Sequence, residues 1–419
     1  MGNGRHSKRG SDRTIGSRSA LLDSVRVRTP DGNSGDDNGR AVLWYSNAPF
    51  AATGYGQQTA QIVPRLTAKG HKVAVAANYG IEGAPTKWHG TEIYPKGLSP
   101  YSDDVLTAHY LDWAHRNPDN RPLLATLYDV WVFKSPSLDS VPSIMSWVPI
   151  DHTPTPPDVL AWCGRKNVTT VAMSRFGQTM LHKAGIDALY APHGIEKVFK
   201  PTTHIEGVSG RSIIGVPEDA FVVMMNAANK GNNPPRKAFG ENLLGFAMFA
   251  KQHPDAYLYM HTEQFGAHGI NIPALAKACG IPDDRIIFSD QYAVRNGMPQ
   301  EVLPVLYSAA DVLLACSFGE GFGIPVVEAQ ACGTRCITTG DTAQKELNGH
   351  GWQVETQPFW DHTQKAWFHI PLVREITAAL EMAYNDRKTV CADSVAFASQ
   401  YEADAVFTKY WEPIMAVVP

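Results

Sequence analysis

Residues 317–328 read Ser-Phe-Gly-Glu-Gly-Phe-Gly-Ile-Pro-Val-Val-Glu. A hydrophobic run, 311–315, leads into this glycine-rich loop, and Pro325 falls where a helix would begin, which suits its fixed φ and missing N–H. Glycines at 319, 321 and 323 let backbone approach a ligand closely. The free N–H groups and the dipole of a helix start favour an anion. The loop is therefore expected to hold a diphosphate through Gly321, Phe322 and Gly323. Glu320 and Glu328 flank it. Ionised carboxylates only accept hydrogen bonds, so they suit hydroxyl-rich ligands: Glu320 is placed on sugar hydroxyls and Glu328 on a ribose.

Three other clusters stand near strand ends. Arg236 and Lys237 follow two prolines and precede an apolar helix that starts near Phe239. Two cations at a helix entrance oppose its dipole, which asks for a reason. Thr53-Gly54-Tyr55-Gly56 lies between a strand and a helix. No acidic residue follows where a dinucleotide ribose would need one, so an NAD site is excluded. Pro149-Ile150-Asp151-His152-Thr153-Pro154 ends the run 144–148. Catalytic groups in open α/β sheets collect at such ends, so Asp151 or His152 is expected at the transferred sugar or the acceptor hydroxyl. Asp129 is a weaker candidate of the same kind.

The elements that must position these residues alternate. Strands are predicted at 41–45, 72–77, 123–127, 144–148 and 170–173, then at 221–225, 256–260, 285–288, 311–315 and 335–338, with helical stretches between them. That alternation implies βαβ units and parallel sheets. A polar stretch at 197–215 divides two such halves. The resulting division is 1–40 a disordered tail, 41–200 a first α/β half, 201–392 a second α/β half, and 393–419 a helix crossing back to the first. The tail is rich in Gly, Ser, Arg and Asp, a composition that does not offset the entropy of ordering. Its eight Lys/Arg against five Asp make it mildly basic.

Bulk properties narrow the class. With 44% hydrophobic residues in 419, each half can bury a core. A net charge of −4 excludes a protein built throughout to coat nucleic acid. No apolar run is long enough for a spanning helix. The six cysteines are scattered without a C-x-x-C pair, which reads as buried thiols in a reducing compartment. The expected location is cytoplasmic, including a membrane's cytoplasmic face.

The Glu320-x7-Glu328 run, followed by Ala329-Gln330-Ala331-Cys332-Gly333-Thr334, resembles the signature of the family-four retaining glycosyltransferases of the GT-B fold, two Rossmann-like domains facing across a cleft. Ser174–Gly177, Pro192–Ile195 with Phe199 and Pro201, and Tyr307–Leu313 are similar to other stretches of that family. The resemblance covers about residues 41–350. It implies that Lys237 binds the donor phosphates; the usual arginine five residues earlier is replaced by Asn232, leaving Arg236 or Lys230 to substitute. It also implies that Gly54 and Gly56 face the donor phosphate across the cleft. The implied reaction moves a sugar from a nucleoside diphosphate, UDP- or GDP-linked, to an acceptor hydroxyl with retention and without a metal or other cofactor. The acceptor is open among a glycan, a lipid, a protein and a modified nucleic acid base. Two alternatives share the nucleotide half: a GT-B sugar-nucleotide epimerase and a non-catalytic sugar-nucleotide or glycan-binding protein.

Overall fold

Strand β1 (Arg40–Ser46) is buried along its whole length, as a strand covered on both faces of a parallel sheet must be. The structure, a computed structural model, describes residues 39–231, 234–266, 268–387 and 390–419. With β1 in the first sheet stand β2 (Lys72–Ala77), β3 (Thr86–Trp88), β4 (Thr91–Tyr94), β5 (Arg121–Leu127), β6 (Ile144–Val148), β7 (Val168–Ala172) and β8 (Leu189–Tyr190). Their order is β3-β4-β2-β1-β5-β6-β7-β8, and β3 runs antiparallel to β4. The stretch expected to be a plain polar linker instead carries a short antiparallel pair, β9 (His204–Ile205) and β10 (Val208–Ser209), and a helix, Gly210–Ile214.

The second sheet comprises β11 (Phe221–Asn226), β12 (Ala256–His261), β13 (Ile286–Phe288), β14 (Val312–Leu314), β15 (Arg335–Thr339) and β16 (Trp352–Val354). It is parallel throughout, in the order β13-β12-β11-β14-β15-β16. An antiparallel hairpin, β17 (Thr356–Asp361) and β18 (Ala366–Pro371), follows.

Both sheets are doubly wound, and strand order reverses between β1 and β5 in one and between β11 and β14 in the other. Ligands bind in the crevice outside the carboxyl ends of the strands at such a reversal. The segments leaving these four ends are 47–53, 128–129, 227–238 and 315–323. The motifs singled out above fall on or beside them, with 149–154 leaving the adjacent β6.

The C-terminal segment, expected as one helix over 393–419, is broken. Helix Ala392–Ala398 is followed by a turn, a short helix Ala403–Val406, a wide turn of helix at Phe407–Trp411 and helix Glu412–Val417. Glu402 makes the break: its carboxylate accepts from the N–H groups of Asp404 and Ala405, capping a new helix start. Beyond it the chain packs on the first sheet. The Trp411 ring sits 4.7 Å from Trp147 and 5.8 Å from Trp44. Arg40, assigned to the tail by composition, is corrected to β1: its guanidinium donates to the carbonyls of Met415 (3.2 Å), Pro419 (3.0 Å) and Val418. Carbonyls of the returning C-terminus replace the water a charged terminus-proximal arginine would otherwise keep. The rest of the expected tail, 1–38, lies outside the described residues, as does Asn232.

Trp411 is fully buried. Trp411→Ala is expected to cost about 3–5 kcal/mol, as deletion of a buried indole does. Urea unfolding followed by tryptophan fluorescence reads this directly, and a loss below about 1 kcal/mol would show that the segment contributes little.

Candidate active site in the cleft

The loop after β14 and the loop after β11 meet because they flank the reversal of the second sheet. Glu320 is the meeting point. One oxygen accepts from Lys237 Nζ and from Ser317 Oγ (2.8 Å), and the other from Arg236 Nη1 (2.9 Å). Arg236 also donates to the carbonyl of Gly319. The Glu320 N–H reaches Thr342 Oγ1 (3.1 Å). Burial alone would raise the Glu320 carboxyl, but Arg236 and Lys237 outweigh it and hold it at about 2. Burial lowers the Lys237 ammonium below its ordinary value. For Arg236 the same burial penalty is overcome by Glu320 and Asp151, so its charge is secured.

Helix Ile324–Ala331 starts from Gly323, which adopts φ +109°, a conformation L side chains rarely take. Pro325 sits in its first turn, as expected. A recess opens at this helix start, lined by Lys237, Ser317, Glu320, Gly323 and Val326 and floored by the ends of β11 and β14. It joins a helix N-terminus to a lysine, an arrangement that favours an anion.

The other glycines have a different physical reason. A Cβ on Gly321 would stand 2.4 Å from Pro149 Cβ, and one on Gly319 would stand 2.0 Å from the Asp151 carbonyl oxygen. The loop is glycine-rich because it presses against the end of β6 from the opposite half. Phe322 turns away from the recess: its ring packs on His193 (4.9 Å) and Tyr401 (5.8 Å). Of Gly321, Phe322 and Gly323, the recess takes only Gly323. In the first loop, a Cβ on Gly56 would meet the Ala51 carbonyl at 2.4 Å, so this glycine is required by the turn itself. Gly54 lies beside Ile324 across the cleft, a Cβ there falling 3.4 Å from its Cδ1.

Glu328 is buried, and both oxygens are already used. Tyr307 Oη donates to one (2.9 Å), and Gln57 Nε2 from the first half donates to the other (2.9 Å). Burial raises its carboxyl, the two hydrogen bonds offsetting part of the effect. The Glu-x7-Glu spacing thus directs one carboxylate to the Arg236–Lys237 pair and the other to the facing helix Gly54–Ala68. Gln57 carried no recognisable signal, and Tyr307 was marked only as the start of the stretch Tyr307–Leu313.

Asp151 and His152 are adjacent and bonded, Nδ1 to Oδ1 at 2.7 Å. Asp151 also faces Arg236, Oδ2 to Nε at 3.8 Å. Burial would raise the Asp151 carboxyl, but the hydrogen bond to His152 and then the Arg236 charge hold it low. His152 offers no free ring nitrogen, because Nε2 faces Asp361 Oδ2 at 3.3 Å. A direct role for the His152 imidazole at the substrate is therefore not what the geometry favours. Asp361 lies on the hairpin β17–β18, which was missed in the sequence; the aromatic runs 359–360 and 367–368 around a polar turn were its signal, weakened by Pro358. Asp129 belongs to the same group, raised to about 6 by burial first and by Asp151 second.

Comparison with known proteins fits this geometry. Residues 287–388 match the family described as glycosyl transferases group 1. The chain has the GT-B fold, and part of its second half is similar to the group 1 glycosyl transferases. The solved sucrose-phosphate synthase of Thermosynechococcus elongatus superposes with a TM-score of 0.64 at 15% identity, over 90% of this chain and 96% of its own. Anabaena HepE in complex with UDP-glucose superposes with a TM-score of 0.64 at 16% identity, over 90% and 99%. Among curated relatives, the D-inositol 3-phosphate glycosyltransferase of Paenarthrobacter aurescens is 31% identical over 158 residues, 36% of this chain. The O-antigen chain mannosyltransferase B of Escherichia coli is 42% identical over 52 residues, 12% of this chain. These matches span 34% and 14% of the respective relatives' lengths. Among the described residues no helix is long and apolar enough to cross a membrane.

Asp129 yields a test of the electrostatics. Its folded value of about 6 lies above the ordinary 3.8, so its contribution to stability is present at low pH and is lost as pH rises between these values. Asp129→Asn removes that loss. The melting temperature of the variant relative to the parent is expected to rise from pH 4 to pH 7, and a pH-independent difference would show that Asp129 is not buried against Asp151.

Proposed function

We propose that the protein is a retaining glycosyltransferase that moves a sugar from a UDP- or GDP-linked donor to an acceptor hydroxyl, with no metal or resident cofactor. The observation that carries this reading is the recess where the start of helix Ile324–Ala331 faces Lys237 beside the Arg236–Glu320 pair. HepE, which shares the fold, was solved with UDP-glucose, and that likeness supports a nucleotide-sugar donor here.

Departure of the diphosphate leaves the sugar oxocarbenium-like and puts negative charge on the leaving oxygens. Groups already fixed where that charge develops lower the barrier, since they need no reorganisation. Lys237, Arg236 and the N–H groups after Gly323 take that role. Glu320, kept ionised by its two cations, receives sugar hydroxyls, and Glu328 receives the ribose in exchange for the Gln57 amide. Asp151 stands at the transferred sugar from the first half. The leaving phosphate takes the acceptor proton on the same face, which gives retention. The acceptor is a hydroxyl on a glycan, a lipid, a protein or a modified nucleic acid base. A fixed cation and a helix start neutralise a diphosphate as a divalent ion would.

Transfer to water provides the test. UDP-glucose and GDP-mannose are incubated with the protein, and the fresh sugar is followed by NMR before it mutarotates. An α-donor is expected to release the α-anomer, with the rate unchanged by EDTA; a β-anomer or complete loss in EDTA would overturn the proposal. Lys237→Ala is expected to lower kcat by about 100-fold or more while donor affinity by calorimetry changes much less. A rise in KM alone would make Lys237 a ground-state clamp.

A further inference from the structure

The hairpin β17–β18 brings one carboxylate from the second half to a residue of the first. Its register sets Asp361 opposite Ala366 and Phe359 opposite Phe368, so these four share one face. That face meets His152. The Phe368 ring lies over the imidazole, centroids 3.7 Å apart at 30°, and Asp361 Oδ2 is 3.3 Å from Nε2. The backbones are joined at the same place: the Thr153 N–H donates to the Trp367 carbonyl (3.0 Å) and the Trp367 N–H to the Thr153 carbonyl (2.8 Å). Two residues on, the His369 N–H donates to the Phe318 carbonyl (2.8 Å), tying the hairpin to the glycine-rich loop as well.

Each ring nitrogen of His152 therefore stands beside a carboxylate oxygen, Nδ1 beside Asp151 and Nε2 beside Asp361. The charged groups that bear on His152 are Asp151 from its own loop, Asp361 from the hairpin, and Arg236 and Asp129, which interact with this pair. With both nitrogens engaged and 3% of its surface exposed, His152 serves its neighbour rather than a ligand. It takes one Asp151 oxygen at 2.7 Å and leaves the other facing Arg236.

We propose that Asp361 is a positioning residue: it fixes the His152 imidazole, and through it the Asp151 carboxylate, in the orientation that faces Arg236. Because Asp361 arrives on the second half and His152 on the first, this orientation exists only when the two halves are apposed. A hydrogen bond donated to Asp361 also fixes which nitrogen is free to restrain Asp151, a constraint that packing by Phe368 alone does not supply. The kinetic consequence rests on the donor reading above; the geometric one does not.

The experiment therefore has two arms on the full chain. In the first, ¹⁵N-histidine NMR without substrate follows the His152 ring, assigned by the signals lost in His152→Gln. The Nε2 signal is expected to move in Asp361→Asn, which loses the charge and one acceptor oxygen, and to return toward its parent position in Asp361→Glu. His152 signals unchanged in Asp361→Asn overturn the proposal, as does a failure of Asp361→Glu to restore them when that variant is folded by circular dichroism. In the second arm, hydrolysis of UDP-glucose and GDP-mannose is measured. Asp361→Asn is expected to lower kcat roughly 10- to 100-fold, the scale of a misplaced catalytic group, with donor KM little changed. The same substitution in the His152→Gln background is expected to add almost nothing. An equal loss in that background overturns the proposal, because Asp361 would then act elsewhere. If the parent hydrolyses neither donor, the donor reading fails, and the spectroscopic arm still decides for or against Asp361.

Discussion

A line of charged groups and one imidazole runs across the cleft, and the site depends on it. Lys237 and Arg236 share Glu320, Arg236 faces Asp151, Asp151 holds His152, and His152 faces Asp361. Each buried charge here has an opposite neighbour, without which burial would cost several kcal/mol. The line crosses between the halves twice, from Arg236 to Asp151 and from His152 back to Asp361. Two links of this line join the halves, so the apposition of the two sheets is an electrostatic matter as well as one of packing.

Packing imposes the same requirement independently. Gly319 and Gly321 are close enough to Pro149 and Asp151 that no side chain fits, and the hairpin pairs its backbone with Thr153. The C-terminal segment adds a third tie, with Ile195 bridging Glu402 and Trp411 seated on Trp44 and Trp147. A glycine-rich loop beside a recess at a helix start invites the reading that every glycine serves a ligand. Here Gly323 serves the helix start at the recess, while Gly319 and Gly321 serve the facing half.

The regular parts of this architecture were legible in the sequence. Runs such as 72–77 and 144–148 are apolar, short and bounded by polar turns, and they became β2 and β6 with the expected limits. What period and composition do not encode is contact between distant segments. Gln57 on Glu328 and Asp361 on His152 are separated in sequence by 271 and 209 positions, and nothing local marks either. Arg40 was misread for the same reason, since its partners are carbonyls at the far end of the chain. The broken C-terminal helix escaped because Glu402 caps from within a stretch whose propensity is helical throughout. The glycine-rich loop, Glu320, Lys237 and Arg236 were legible because a strand end, a glycine run and a helix start are local features, and the strand reversal brings two such ends together.

The way the free site satisfies itself bears on how a donor would enter. Gln57 gives Glu328 the hydrogen bond that a ribose hydroxyl would give, and Lys237 lies on Glu320 where a diphosphate would draw it toward the helix start. On the proposed reading, binding exchanges contacts rather than filling empty ones. A ligand shifts a conformational equilibrium only by its differential affinity for the two states. A donor that satisfied Glu328 but left Gln57 without a partner would lose part of what it gained, because a buried amide with no acceptor is costly. Gln57 lies one turn into the helix that starts at Gly54, so its release can be relayed to that helix and to the first-half loop before it. By the same logic Asp361 and His152, which no donor atom needs to displace, are the part of the cleft that stays paired throughout. On the proposed reading the cleft combines a contact that yields, Gln57 with Glu328, and a contact that holds, Asp361 with His152, and the difference follows from whether the ligand competes for the acceptor.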